Sequence, residues 1–239
     1  MNVEVVTSMS AKGLDLYGRK FISTYLEHWD APLHVYFDGV DPLPDLGDGV
    51  TCHALEDDPD WREFVENVPE KALRSSHPNT QALRFCHKVF SVTDRVSEET
   101  ADWRVWIDSD VEFTRRMDDI ALATLLPPWS SVTYLGRIDM PYSECGFVGY
   151  RLDEYGAAVL ERMRDIYVTG ELYTYRDTDW HDSSTFDRAC RELVPHVRQH
   201  SYSAGMRGYH VWPETVLGKY MVHNKGPKRK VEAYGKTAP

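Results

Sequence analysis

Cysteine is scarce. Cys52, Cys86, Cys145 and Cys190 stand far apart, and no two share a Cys-x-x-Cys spacing. That pattern speaks against a zinc ribbon or a dense disulfide framework, and free, buried thiols in a reducing cytoplasmic setting are expected. No apolar run approaches the ~20 residues that cross a bilayer, so no transmembrane segment is expected. The opening MNVEVVTSMSAKG lacks a basic region ahead of an apolar stretch and does not read as a secretory signal. Positive charge is also short: 27 Lys and Arg against 38 Asp and Glu give a net charge of -11. This balance argues against a dedicated nucleic-acid coat or membrane-surface protein. Repeats, low-complexity tracts and convincing linkers are missing too. With 239 residues, 42% of them hydrophobic, the chain can build one full core.

What is present is an alternation of strand and helix patterns. VEVVTSMS reads as a first strand, and LDLYGRKFISTYLEHW places Tyr17, Phe21 and Tyr25 on a core-facing helical stripe. LHVYFDG and TCHAL read as strands, DWREFVENV and TQALRFCHKVFSVTDRV as helices. WRVWI is too short for a helix and fits a strand buried on both faces. MDDIALATLL is a helix stopped by Pro127 and Pro128, and SVTYLG is a strand. CGFVGYRL is apolar and glycine-punctuated. EYGAAVLERMRDIYVTG and SSTFDRACREL are helices, the latter with Ser183 or Ser184 as its cap. From SYSAGMRG onward the chain reads as irregular. This order predicts an α/β fold, a mainly parallel sheet with helices on both faces.

Asp-x-Asp occurs three times, at Asp58/Asp60, Asp108/Asp110 and Asp177/Asp179. The first reads as part of a solvated acidic loop and the third sits in a polar stretch. Only Asp108/Asp110 ends an apolar run, in VWIDSD, and the carboxyl ends of central strands are where open α/β sheets bind ligands. Two adjacent carboxylates suit a hard divalent cation that also meets substrate phosphates. Arg84 and Lys88, four apart on one helix face, and the basic stretch HNKGPKRK are candidate phosphate partners. His223 adds a nitrogen, which favours Mn²⁺ over Mg²⁺.

The strand-ending VWIDSD resembles the metal-binding element of GT-A fold glycosyltransferases. HNKGPKR, residues 223–229, is similar to the His-x-x-Gly-x-x-Lys element of glycosyltransferase family 8, with Arg229 standing where that element has Lys. The resemblance implies a single Rossmann-like GT-A domain over 1–239, with a nucleotide-binding half at 1–115. The loop-rich sugar and acceptor half, 116–239, would carry the C-terminal metal and diphosphate element. It implies Asp110, Asp108 and His223 as metal ligands, with Asp108 touching metal or ribose. Thr7 and Ser8 would lie by the nucleobase, and Lys225, Gly226, Lys228 and Arg229 by the diphosphate, with Arg84 or Lys88 nearby. Glu144 in YSECGFVGYRL would reach donor-sugar hydroxyls. In DTDWHDSSTFD, Trp180 would stack on a sugar, and Asp182, then Asp179, would serve as general base or orienting acid.

The implied activity is metal-dependent transfer from a nucleotide-sugar, UDP-sugar first, to a hydroxyl, with a lean toward retention. Two other readings stay open, a sugar-phosphate nucleotidyltransferase and a non-catalytic carbohydrate-binding protein. A nucleotidyltransferase would carry a glycine-rich basic loop after the first strand, which TSMSAKGLDLYG matches poorly. The acceptor stays open among a glycan, a protein, a small molecule and a hydroxymethylated DNA base.

Overall fold

The computed structural model describes residues 1–74, 82–94, 101–176 and 179–235. Nine strands are present among them: β1 (Val3–Ser10), β2 (Leu33–Asp38), β3 (Val50–Ala54), β4 (Trp103–Ile107), β5 (Val111–Phe113), β6 (Val132–Leu135), β7 (Glu144–Arg151), β8 (Gln199–Ser201) and β9 (Met221–His223). Seven form one sheet in the order β3-β2-β1-β4-β7-β6-β8, and β5 pairs with β9 in a second, two-stranded sheet. β3, β2, β1 and β4 run parallel, β7 is antiparallel to β4 and β6, and β8 is parallel to β6. The mainly parallel α/β sheet expected from the sequence is therefore present, with β7 as its reversed strand.

Central strands are buried on both faces, so successive residues feed different cores. Val5, Val105 and Ile107 belong to one apolar cluster, Val6 and Trp106 to the other. Helices Ala82–Thr93, Glu154–Val168 and Asp182–Glu192 contribute to one core. Helix Arg19–His28 contributes to the other, where Phe21 and Tyr25 pack against Phe113. All four cysteines are free; Cys86, Cys145 and Cys190 are buried.

Several local expectations need correction. Tyr17 is not core: a π-helical turn, Leu14–Gly18, precedes Arg19–His28 and rotates the register. The helix Asp182–Glu192 is capped by His181, whose Nδ1 accepts from the Ser184 amide at 3.3 Å, rather than by a serine. Asp58 is no solvated loop residue; it caps helix Pro59–Glu66 and, with Asp60, binds Arg164. The C-terminal stretch is not irregular throughout. It contributes β9 and the helix Pro227–Tyr234, elements too short to show a periodicity.

Candidate active site

β4 delivers Asp108 and Asp110 at its carboxyl end. The Asp108 amide bonds the Gly146 carbonyl of β7 at 2.9 Å, and the Val111 amide turns back onto the Asp108 carbonyl at 3.2 Å. β5 then pairs with β9 so that Val111 faces His223, and the Asn224 amide bonds the Asp110 carbonyl at 3.0 Å. Backbone pairing thus brings His223 to the acid pair. Its Nε2 lies 3.1 Å from Asp110 Oδ1 and 3.7 Å from Asp108 Oδ2. Burial pulls the imidazole pKa down, but the hydrogen bonds to Asp110 and Glu144 and the Asp110 and Asp108 charges outweigh it and hold it at about 9.

Gly146 makes this approach possible. A Cβ there would stand 2.7 Å from His223 Cε1 and 3.3 Å from Asp108 Oδ2, so any larger residue would push the imidazole or the carboxylate aside.

Lys88 projects from helix Ala82–Thr93 into the same region. Its Nζ is 2.8 Å from Asp182 Oδ2 and 3.4 Å from Asp108 Oδ1, and it also donates to the Cys145 carbonyl. Burial disfavours the charged amine, but the charges of Asp108 and Asp182 reverse this and hold it well above the usual lysine range. Asp182 responds in kind: burial would raise its pKa, and the Lys88 ammonium, with His181, carries it below the ordinary value. The Trp106 ring lies 4.9 Å from the ammonium, and its indole N–H donates to Asp108 Oδ1 at 2.7 Å.

Glu144, at the start of β7, is 1% exposed. Its Oε1 is 2.8 Å from His210 Nδ1, 3.3 Å from Lys225 Nζ and 3.5 Å from His223 Nδ1, while Oε2 accepts the Val211 amide at 3.1 Å. Burial would raise this carboxyl's pKa; the hydrogen bonds to His210 and His223 and the Lys225 charge push it far below the carboxylate range instead. Lys225 is steadied from its other side by the Tyr209 ring at 4.6 Å.

These groups line a cleft of about 610 Å³. Of the residues expected from the sequence, Ser8, Arg84, Lys88, Asp108, Asp110, Glu144, Asp182 and Lys225 lie in its wall, and His223 sits directly behind Asp110. Arg84 is exposed there, whereas Lys88 is buried in ion pairs and is not a surface charge. Thr7 is a correction: it is wholly buried within β1, and the cleft wall begins one residue later, at Ser8, toward the carboxyl end of the strand. Trp180 is another. It is 4% exposed and packs edge-on against Tyr173 at 5.2 Å, so its ring faces the core. Asp179 is not in the cleft wall; it accepts the Tyr142 hydroxyl, whose pKa burial and this bond raise to about 12. Gly226 follows Lys225 at a φ of +88°, a backbone conformation that favours glycine, and leads into helix Pro227–Tyr234. Lys228 and Arg229 lie in the first turn of that helix, and their side chains fall outside those described.

Sequence reading missed Tyr17 and Tyr209 on the cleft wall, His210 behind Glu144, and Arg137. The Arg137 guanidinium bonds the carbonyls of Tyr142, Ser143 and Tyr209 and so ties two loops of the wall together. A half-buried arginine in a loop-rich stretch carries no spacing signal that would have revealed this.

The donor set fits a hard divalent ion. Adjacent ligand atoms of an octahedral site with bonds near 2.1 Å lie about 3 Å apart. One oxygen each from Asp108 and Asp110 and one nitrogen from His223 lie within 4.8 Å of one another. Two carboxylates with one imidazole match Mn²⁺ or Mg²⁺ rather than a soft metal.

No family model matches the sequence, and no curated protein does. In three dimensions the chain is similar to a solved glycosyltransferase involved in the glycosylation of the major capsid of PBCV-1. The TM-score is 0.58 at 12% identity, over 98% of this chain and 99% of that one. At that identity the likeness is one of fold: the chain has the fold of a glycosyltransferase along nearly its whole length.

Proposed function

We propose that this protein is a metal-dependent glycosyltransferase of GT-A type that moves a sugar from a nucleotide-sugar, a UDP-sugar first, to a hydroxyl acceptor. One observation carries the reading: the Asp108/Asp110 pair and His223, far from it in sequence, converge at a cleft in a glycosyltransferase-type fold. Asp108, Asp110 and His223 would hold Mn²⁺ or Mg²⁺, which when bound supplies positive charge to a diphosphate leaving group.

The remaining roles follow from charge and position. Lys225, held by Glu144 and Tyr209, offers a fixed cation to the diphosphate. Lys228 and Arg229 follow it in sequence and are assigned the same work. Ser8 and Tyr17, at the end of β1 and the turn after it, line the cleft where the nucleoside is placed. Asp182 stays anionic because Lys88 holds it, and a carboxylate so stabilised is a poor proton acceptor. It suits orienting the donor or acceptor, which supports retention over inversion.

The test is donor hydrolysis across a panel of nucleotide-sugars with Mn²⁺, comparing wild type with Asp110→Ala under matched folding by circular dichroism. Hydrolysis of one donor class by the wild type and its loss in the variant supports the reading. Equal turnover by both proteins, or none with any donor, removes it.

A further inference from the structure

Glu144 was expected to reach sugar hydroxyls, yet its oxygens point at protein donors. Behind the acid pair stands a second group of metal-capable side chains, Glu144, His210 and His223. Two facts decide what it does. Lys225 Nζ already lies 3.3 Å from Glu144 Oε1, so an ammonium fills the place a second cation would take. His223 belongs to both groups and offers a different nitrogen to each: Nε2 to Asp110 and Asp108, Nδ1 to Glu144.

A neutral imidazole carries one proton, and the hydrogen bond made by one nitrogen decides which nitrogen is left to bind a metal. His223 is 2% exposed. Its Nδ1 is buried, and Glu144 Oε1 at 3.5 Å is the carboxylate oxygen it faces. That carboxylate is itself fixed, by the Val211 amide on one oxygen and His210 on the other. Trp212 packs on the imidazole at 4.9 Å, and Gly146 leaves room for it on the β7 side.

We propose that Glu144 is a positioning residue for His223. Its carboxylate faces Nδ1 as acceptor and so keeps the imidazole proton on that nitrogen, which leaves Nε2, the nitrogen facing Asp108 and Asp110, to bind the cation, while His210 holds the carboxylate in place. The proposal rests on the metal reading above and adds a buried carboxylate–histidine relay to it. The site so described takes one divalent ion.

Mn²⁺ titration of the full chain with saturating UDP, followed by electron paramagnetic resonance, tests it. The expected stoichiometry is one. Glu144→Ala should weaken Mn²⁺ binding about 10- to 100-fold. Glu144→Gln, whose amide oxygen can still accept the Nδ1 proton, should restore binding to within a few-fold. A purely structural role would not separate these two variants. Nitrogen-15 spectra of the Zn²⁺-loaded wild type give a reading that needs no variant: His223 should carry its proton on Nδ1. Unchanged Mn²⁺ affinity in Glu144→Ala with a raised donor KM would overturn the proposal in favour of sugar contact. A proton on Nε2, or two ions per chain, would overturn it as well. His223→Ala separates the two levels. If it loses Mn²⁺ while Glu144→Ala does not, only the relay falls; if it binds Mn²⁺ like wild type, the metal reading falls with it.

Discussion

Two Asp-x-Asp pairs in this chain share a spacing and differ in everything else. Asp58 and Asp60 close on a cation that the chain supplies: Arg164 lies 2.7 Å from Asp58 and 2.8 Å from Asp60. Asp58 also accepts the amides of Asp60 and Trp61. Asp108 and Asp110 end a central strand, open on the cleft, and meet an imidazole that arrives from β9. The first pair stabilises a helix start and ties it to helix Glu154–Val168. The second opens on the cleft beside His223, where we propose an ion. Carboxylate spacing alone does not distinguish structure from chemistry; the element that carries the pair, and the source of its cation, do.

Breaking each pair should therefore give opposite signatures. Asp110→Ala should lower sugar transfer on the order of 10³-fold, since a bound ion contributes several kcal/mol of charge stabilisation. Its thermal melt should stay near that of wild type. The double change Asp58→Ala/Asp60→Ala should do the reverse. It removes a helix cap and leaves a half-buried guanidinium without its partners, at a cost of about 2–4 kcal/mol in urea unfolding. Mn²⁺ affinity should not move.

Asp182 sharpens the contrast between a group that stabilises the fold and one that acts in the cleft. Its native pKa is depressed below the unfolded value. Its stabilising contribution is thus fully present above the unfolded value of about 3.9 and lost as pH falls through the native one. Asp182→Asn should cost about 1.5–3 kcal/mol at pH 7, and the gap to wild type should close on acidification, measured by urea midpoints from pH 7 to 2. Gly146→Ala is the mildest test. A Cβ 2.7 Å from His223 Cε1 should displace the imidazole and weaken Mn²⁺ binding about tenfold, with no loss of fold content by circular dichroism.

How much of this could be read from the sequence depends on how local the signal is. The acid pair at the end of WRVWI was legible because a short apolar run and its terminal carboxylates sit together. His223 became legible only by its likeness to a known element, because β9 has three residues and no periodicity announces its pairing with β5. Thr7 and Ser8 show the limit on a strand: composition does not say at which residue the strand leaves the core and meets the cleft. Trp180 and Tyr17 exchanged roles for similar reasons. An aromatic in an acidic stretch turned out to be core, and one on an apolar stripe was moved to the cleft by a π-turn. Glu144 was singled out, but its partner His210 lies 66 residues away, and no pattern in the chain links them.

The central claim is that Asp108, Asp110 and His223 grip one divalent ion against a nucleoside diphosphate. Crystals grown with Mn²⁺ and UDP, measured at the manganese absorption edge, test it most directly. The account predicts a single anomalous peak about 2 Å from Asp110 and His223 Nε2, with the diphosphate on its open side. Manganese located away from His223, or UDP bound in the cleft with no metal beside Asp110, would contradict it.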